Sequence, residues 1–216
     1  PSDQSVLDMI RIATYIHQIP LALEMIQDAH DKGYETTLNL MAASTVNDSE
    51  MDEALALLMK SQVGSVYVVD SFGSMYGEQV NFLMDKFLGF TEGTDKEIGI
   101  HCHNNQQLAF ANTVQAIVKG ANMLDASIAG LGRGAGNCQI ELLIGFLHNP
   151  KYRLRPILQC IQEHIEPMRS KLLWGYDYPY MLTGMLNEHP RSGMAFNISK
   201  DKGDILKFYD DITSEE

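Results

Sequence analysis

The sequence contains no apolar run long enough to span a bilayer, and it is short of basic residues. Its 216 residues include 16 Lys and Arg against 28 Asp and Glu, which gives a formal net charge of −12. Because phosphate backbones and anionic lipids are bound by basic surfaces, this balance argues against nucleic-acid and membrane partners. The three cysteines, an odd number at irregular spacing, favour a reduced cytoplasmic protein over a disulfide scaffold.

Strand-like and helix-like segments alternate along the chain. Five near-continuously apolar segments are predicted to be buried parallel strands, over 9–13, 36–42, 65–70, 97–103 and 123–128. Helices are predicted over 19–32, 49–61, 76–87 and 105–119, from about residue 138, and over 156–173 and 179–188, with a kink or break expected at Pro167. The acidic segment 204–216 is expected to be a solvated helix or a frayed tail. The alternation predicts an α/β fold with right-handed crossovers. An open doubly wound sheet and part of a (β/α)8 barrel both fit, since a whole barrel needs about 250 residues.

Two histidines close the fourth predicted strand, in the sequence His101-Cys102-His103. Side chains alternate along a strand, so the two imidazoles point to one side and the thiol to the other. Ligands bind at the carboxyl ends of parallel strands, and two neighbouring imidazoles form half of a divalent-metal site. An alternative of equal weight is that the two histidines simply end the strand and hydrogen-bond to nearby loops, because one His-x-His pair never completes a coordination shell.

Asp70 and Ser71 close the third predicted strand, again at a carboxyl end. Asp70 is a candidate metal ligand, base or helix N-cap, and Ser71 is a candidate donor to a substrate carboxylate. A helix N-cap formed by this pair has equal weight. The aromatic segment 175–180 lies among predicted helices, where tyrosines belong to a core or interface more often than to a catalytic site.

A glycine-rich segment over 130–137 follows the fifth predicted strand. Its first residues satisfy a dinucleotide-binding pattern, but no acidic residue ends a following strand, and that pattern belongs on the first strand–helix turn. A flexible turn is the plain alternative. We favour a third interpretation, in which backbone N–H groups of the loop face an anionic substrate at a helix N-terminus.

Taken in order, these segments resemble the 4-hydroxy-2-oxovalerate aldolases, which are metal-dependent pyruvate aldolases among the HMG-CoA-lyase-like TIM-barrel metallolyases. The resemblance covers nearly the whole chain and is carried by Arg11-Ile-Ala-Thr14, Tyr67-Val-Val-Asp-Ser71, Gly99-Ile-His-Cys-His-Asn-Asn105, Leu124-Asp-Ala-Ser-Ile-Ala-Gly-Leu-Gly132, Gly134-Ala-Gly-Asn137 and Gly175-Tyr-Asp-Tyr-Pro-Tyr180. It implies that the five strands are strands four to eight of a (β/α)8 barrel within residues 1–150. Residues 151–216 would then form a helical C-terminal extension.

The resemblance also implies roles for individual residues. His101 and His103 match two ligands of a divalent ion, Mn²⁺ or Mg²⁺, and Tyr180 matches the active-site tyrosine. Ser71 matches the residue that touches the pyruvyl carboxylate. Further ligands, or residues that support the ligands, are expected at Asp70, Asn105 and Asn137. The implied reaction cleaves a 4-hydroxy-2-oxo acid to pyruvate and an aldehyde, with the ion as Lewis acid.

One family motif is missing from these residues. In the aldolases an Arg-Asp-Gly sequence supplies a third metal ligand, an arginine and, nearby, a histidine base, and the 216 residues contain no Arg-Asp-Gly. Where the aldolases tend to have a histidine soon after Ala-Thr, this chain has Tyr15-Ile16. We therefore expect the C-terminal two-thirds of a longer enzyme, inactive alone. The expected partners are a small 2-oxo acid, further copies of the chain and an aldehyde dehydrogenase.

Three alternatives to this function stay open. An HMG-CoA-lyase-like or acyl-CoA-condensing reaction requires a surface for coenzyme A, and no basic groove indicates one. A degenerate, non-catalytic barrel domain would bind a partner or metabolite. An NAD-dependent oxidoreductase would have to bind its cofactor at the glycine-rich segment, and this is the least favoured alternative.

Overall fold

The computed structural model describes residues 1–214, and the chain divides into two compact units. Unit 1 comprises Pro1–Ser71, Tyr76–His101 and Thr113–Asp125, and unit 2 comprises Phe72–Met75, Cys102–Asn112 and the chain from Ala126 onward. No helix within residues 1–214 has both the length and the apolar content needed to cross a bilayer. The domain boundary predicted after residue 150 stays a prediction.

A five-stranded sheet, with neighbouring strands in chain order, forms the centre of unit 1. Its strands are β1 Met9–Thr14, β2 Glu35–Leu40, β3 Ser65–Asp70, β4 Glu97–Cys102 and β5 Met123–Leu124. The pairs β1–β2, β2–β3 and β4–β5 are parallel, and one helix follows each of the first four strands. The α/β class is therefore confirmed, whereas the assignment to strands four to eight of a barrel stays a prediction.

The two faces of the sheet differ in polarity. Ile12, Leu38 and Val66 lie side by side in register on one face, and the first helix contacts β1 and β2. The opposite face carries mostly polar side chains from three adjacent strands, namely Arg11, Thr37, Asn39, Ser65 and Tyr67. The prediction that the strands are apolar on both faces is therefore wrong, because alternate residues of β1 to β3 form a polar face.

Four helices follow the first four strands: α1 Ile19–Asp31, α2 Asp48–Met59, α3 Gly77–Thr91 and α4 Ala109–Lys119. The predicted start of α4 at Asn105 is wrong by four residues. A turn precedes the helix there, with Gln107 at a φ of +62°. Asn104 Oδ1 then accepts the Ala109 amide at 3.1 Å, which satisfies a helix-end donor and sets the first residue of α4.

The other helices are α5 Ile140–Leu147, α6 Leu154–Cys160, α7 Glu166–Met168, α8 Tyr178–Met185, α9 Arg191–Asn197 and α10 Ile205–Thr213. The helix predicted over 156–173 is interrupted just before Pro167, by a π-helical segment at Ile161–Ile165. Pro167, which has no N–H to donate, follows directly in α7. A small core shared by α8, α9 and α10 consists of Leu182, Phe196 and Phe208. Residues 215 and 216 of the predicted C-terminal helix or tail lie outside the described residues.

Gly99 on β4 is required by the ring of Tyr67 on β3. A Cβ atom at position 99 would lie 2.5 Å from two ring carbons of Tyr67, closer than real Cβ contacts permit. Tyr67 is itself 2% exposed, so its ring has little room to move. The absence of a side chain at Gly99 therefore fixes where the Tyr67 ring lies on the polar face.

We expect Gly99→Ala to destabilise the protein by about 1–3 kcal/mol, because an added methyl group in a closely packed position forces its neighbours to shift. Chemical denaturation measures this change in the free energy of unfolding. Gly89→Ala in α3 is the matched control, since a Cβ there meets no atom within 4 Å. It should stabilise the helix by up to about 1 kcal/mol. Equal effects at the two positions would contradict the packing account.

Candidate active site

In unit 1, one oxygen of Asp125 joins two side chains that are distant in sequence. Asp125 Oδ2 accepts hydrogen bonds from Arg11 Nη1 at 2.5 Å and from His101 Nδ1 at 2.9 Å. The Arg11 guanidinium also lies over the Tyr67 ring, 4.3 Å from its centroid. Side chains from β1, β3 and β4 and the residue after β5 thus form one contiguous group, which we call the Asp125 cluster: Arg11, Tyr67, His101 and Asp125.

The Asp125 cluster shifts the pKa of two of its members. Burial acts to raise the pKa of Asp125, but hydrogen bonds from His101 and Arg11, with the charge of Arg11, outweigh burial and bring that pKa below its ordinary value. Burial raises the pKa of the Tyr67 hydroxyl, which is therefore protonated at neutral pH. An ionised carboxylate only accepts hydrogen bonds, so His101 Nδ1 carries a proton, and in the neutral imidazole the lone pair is on Nε2.

The same face of the sheet holds a buried oxygen that has no donor. Asn39 Oδ1 accepts no hydrogen bond from residues 1–214. Asn39 lies in register with Ala13 and Tyr67, on the face that also carries Arg11. A buried acceptor left unsatisfied costs about 1–3 kcal/mol, so a water molecule or ligand that donates to this oxygen would be favoured.

Ser71 and Asp70 lie at the end of β3. Ser71 Oγ accepts the Ala42 amide at 2.8 Å, which ties Ser71 to the residues that follow β2. Asp70 is buried, with 1% of its surface exposed. The alternative that this pair caps a helix is wrong, because α3 begins at Gly77 with Tyr76 as its N-cap.

In unit 2, His103 and Asn137 are joined by an isolated backbone bridge. His103 Nδ1 lies 3.3 Å from the carbonyl oxygen of Gly136, which only accepts, so this ring nitrogen carries a proton. Asn137 Nδ2 donates to Leu131 O at 3.3 Å, whereas its buried Oδ1 accepts nothing from residues 1–214. The bridge therefore places the backbones of these two residues side by side.

The glycine-rich loop over 130–137 is bonded mainly to itself. Gly130 O accepts the Asn137 amide at 3.0 Å, and a Cβ atom at Gly136 would lie 2.1 Å from that same oxygen. The amides of Gly130, Leu131 and Gly136 also donate to carbonyl groups within 127–133. These four amides do not face an anion, so the favoured interpretation of the loop is wrong for them.

Tyr180 packs on this loop in unit 2. A Cβ atom at Gly134 would lie 3.3 Å from the Tyr180 ring, so the glycine leaves room for the aromatic side chain. Asn105, which is buried, donates from Nδ2 to Tyr180 O at 3.2 Å. Of the residues predicted from the sequence, unit 2 contains His103, Asn105, Asn137 and Tyr180, and unit 1 contains Asp70, Ser71 and His101.

Four residues of these groups received no role from the sequence. Arg11, Tyr67 and Asp125 all fall within the motifs that carry the family resemblance, but nothing in their spacing shows that they meet. Arg11 could have been singled out because it is a charged residue within a predicted buried strand, where charged side chains are rare unless they are paired. Trp174 gave no signal, although its Nε1 donates to Ala129 O at 3.0 Å beside the glycine-rich loop.

A groove of about 640 Å³ in unit 1 lies away from the Asp125 cluster. Its lining includes the first residue of each strand, namely Met9, Glu35, Ser65, Glu97 and Met123. Ligands of parallel α/β folds bind at the carboxyl ends of the strands, where His101 and Asp125 lie. This groove is therefore at the wrong ends of the strands for the candidate site.

His189 in unit 2 is held beside a cation. Arg133 Nη1 lies 3.3 Å from His189 Nε2, and the Phe72 ring packs edge-on at a centroid distance of 5.7 Å. Burial, followed by the charges of Arg133 and Arg191, lowers the pKa of His189 below its ordinary value. His189 is therefore neutral in the folded protein at neutral pH.

Comparison with known proteins identifies related sequences. Residues 13–165 match the family model described as HMGL-like. The 4-hydroxy-2-oxovalerate aldolase of Bacillus cereus is 30% identical over 210 residues, and that of Geobacillus thermodenitrificans is 35% identical over 213 residues. Each alignment covers 92% of this chain, which spans 60% and 59% of the length of these two relatives.

Solved structures resemble the fold. The N-terminal domain of a candidate aldolase from Bacteroides vulgatus has a TM-score of 0.76 at 29% identity, covering 93% of this chain and 66% of that chain. The carboxyl transferase domain of Rhizobium etli pyruvate carboxylase has a TM-score of 0.69 at 12% identity, covering 94% and 36%. The second likeness concerns the fold alone. Both are consistent with a TIM-barrel-like arrangement of this parallel sheet.

The lowered pKa of His189 predicts a pH dependence of stability. Between that pKa and the ordinary value of about 6.5, the unfolded chain binds a proton that the folded protein does not, so stability falls as the pH decreases through this window. His189→Gln should flatten this part of the stability curve between pH 7 and 5, measured by chemical denaturation. The exposed His164→Gln is the matched control. An unchanged pH dependence in His189→Gln would contradict the assignment.

Proposed function

The chain belongs to the HMGL-like family, and from this premise we propose that the whole protein is a divalent-metal-dependent aldolase. The proposed reaction cleaves a 4-hydroxy-2-oxo acid to pyruvate and an aldehyde. The observation that carries the proposal is the similarity to relatives named 4-hydroxy-2-oxovalerate aldolase across 92% of this chain. Because the chain spans about 60% of their length, the activity is proposed for the whole protein.

The nitrogen and oxygen donor atoms of His101, His103 and Asn137 are of the types that bind a divalent ion such as Mn²⁺ or Mg²⁺. Metal-binding imidazoles commonly donate one ring N–H to a carboxylate or a backbone carbonyl, as His101 Nδ1 does to Asp125 and His103 Nδ1 to Gly136. The unsatisfied Oδ1 of Asn137 adds an oxygen donor of the type that these ions prefer. We therefore propose His101 and His103 as ligands, paired by their spacing in the sequence, and Asn137 as a further ligand.

These ligands do not complete a coordination shell. Among residues 1–214, no three His, Cys, Asp or Glu side chains are grouped so that they could hold a metal ion. The substrate itself and further oxygen ligands would have to complete the shell. When bound, an ion of this kind acts as a Lewis acid toward the carbonyl group of a 2-oxo acid.

The remaining side chains are proposed to bind and orient the substrate. Ser71 Oγ is held in place by the Ala42 amide, and we propose that the Ser71 hydroxyl touches the substrate carboxylate. The Tyr180 hydroxyl is proposed to hydrogen-bond the substrate, with Asn105 holding the Tyr180 backbone. The buried Asp70 is proposed to support the ligands.

The proposal is tested by pyruvate formation from 4-hydroxy-2-oxo acids in the presence of Mn²⁺, measured on the full-length protein. Tyr180→Phe is expected to lower kcat/KM by about 10- to 100-fold, because a hydrogen bond to a charged substrate contributes about 1.5–3 kcal/mol. Tyr209→Phe, at an exposed tyrosine of the same unit, is the matched control and keeps the wild-type rate. Cleavage of acyl-CoA substrates alone would favour the HMG-CoA-lyase-like alternative, and no turnover with either class would favour a non-catalytic domain.

The missing Arg-Asp-Gly motif supports a proposal about this stretch of chain. We propose that residues 1–216 alone bind the ion weakly and turn over the substrate at a negligible rate, because that motif supplies a ligand, an arginine and a nearby base in the aldolases. The 216-residue chain and a longer protein containing the motif are assayed side by side. Robust retro-aldol activity from the 216 residues would refute this proposal.

An exposed groove in unit 2 supports the proposal that the protein binds a protein partner. The groove has a volume of about 880 Å³ and is lined mostly by apolar and aromatic side chains, including Leu172, Leu173, Trp174, Tyr176, Met194 and Ile198. Leu173 and Ile198 are 91% and 88% exposed, and clustered exposed apolar side chains mark interaction surfaces. We propose that further copies of the chain bind in this groove. We also propose that the protein has an aldehyde dehydrogenase partner and that it is located in the cytoplasm.

The double variant Leu173→Glu/Ile198→Glu should reduce the molar mass measured by light scattering, because carboxylates are costly in a buried apolar interface. Val118→Glu, at a 73% exposed apolar residue of unit 1, is the matched control and should leave the mass unchanged. A double variant with the mass of the wild-type oligomer would exclude this groove as the contact between copies.

A further inference from the structure

We propose that Asp125, clamped by Arg11, is a positioning residue that fixes the tautomer and ring orientation of His101. The inference deepens the proposed function, because it rests on His101 as a ligand of a divalent ion. It assigns a task to two side chains that neither touch the substrate nor bind the ion in the function proposed above.

The backbone places Asp125 beside His101. The Asp125 amide donates to Ile100 O at 3.0 Å, so the residue after β5 stays in register with the end of β4. The Asp125 side chain then reaches His101 Nδ1 at 2.9 Å. This contact joins residues 24 positions apart in sequence, and its position is set by strand pairing rather than by a mobile loop.

Arg11 holds the same carboxylate oxygen as His101. Its Nη1 donates to the same Oδ2 atom at 2.5 Å, and its guanidinium plane lies over the Tyr67 ring. Tyr67 is fixed in turn by the close approach of Gly99. The Arg11 guanidinium is therefore already engaged by Asp125 and Tyr67. This geometry favours a role in holding Asp125 over a role in binding a substrate carboxylate.

The consequence for His101 follows from hydrogen-bonding rules. A carboxylate oxygen accepts and never donates, so the contact selects the tautomer with the proton on Nδ1 and leaves the lone pair on Nε2. An imidazole without this partner would divide between two tautomers and several ring orientations. Removal of such a partner commonly weakens metal binding by about 10–100-fold.

The tautomer is tested in metal-free protein by long-range ¹H–¹⁵N spectra of the histidine rings at a pH where His101 is neutral. We expect the Nδ1–H tautomer in the wild type and a loss of that preference in Asp125→Asn. Asp125→Glu, which keeps a carboxylate, should restore part of it. Asp85→Asn breaks the exposed ion pair with Lys119 and is the matched control, which should leave His101 unchanged. An unaltered Nδ1–H tautomer in Asp125→Asn would overturn the inference.

Mn²⁺ titration followed by electron paramagnetic resonance gives the second readout. Asp125→Asn should bind Mn²⁺ about 10–100-fold more weakly than the wild type and Asp85→Asn. An unchanged affinity would overturn the role of Asp125 in presenting the ligand. If His101→Ala binds Mn²⁺ as tightly as the wild type, the proposed ligand is wrong, while the tautomer result stands separately.

A second variant keeps the test decisive if Asp125→Asn does not fold. Arg11→Gln retains the contact between His101 and Asp125 but removes the charge that clamps the carboxylate. We expect a smaller but measurable loss of the Nδ1–H preference and of Mn²⁺ affinity, with folding checked by circular dichroism. A folded Arg11→Gln protein with wild-type values in both measurements would overturn the proposed clamp.

Discussion

A single oxygen atom, Asp125 Oδ2, is the point on which the polar face of unit 1 depends. It accepts from Arg11 on the first strand and from His101 on the fourth, so three segments of the chain meet at one carboxylate. Charges in partly buried positions are tolerated only when they are paired and hydrogen-bonded. Each member of the pairings therefore offsets the cost of burying the others. As a result, this face of the sheet carries ionisable side chains, where most α/β sheets carry aliphatic ones.

Glycine provides the space for this polar arrangement in both units. At Gly99 a missing side chain admits the Tyr67 ring, on which the Arg11 guanidinium lies. At Gly136, whose φ is +84°, the backbone passes so close to Gly130 O that no side chain fits. In each case the position of another residue, Arg11 or Asn137, depends on the absence of a Cβ atom from the glycine.

The local parts of the fold were predictable from the sequence, and the contacts between distant residues were not. The bounds of β3 match the prediction, since SVYVVD is apolar at its centre and ends in Asp70. The start of α4 was missed because the side chain of Asn104 decides it. The two candidate histidines could be found from their spacing, but Arg11 and Asp125 are 114 residues apart, and only the strand order brings them together. No pattern in one sequence encodes such a pairing.

The two histidines are held by different acceptors, and this difference makes the two rings unequally rigid. His101 Nδ1 bonds to an ionised carboxylate at 2.9 Å, whereas His103 Nδ1 bonds to a neutral carbonyl at 3.3 Å. A charged acceptor makes a stronger hydrogen bond than a neutral one. The His101 ring is therefore held against rotation more firmly than the His103 ring.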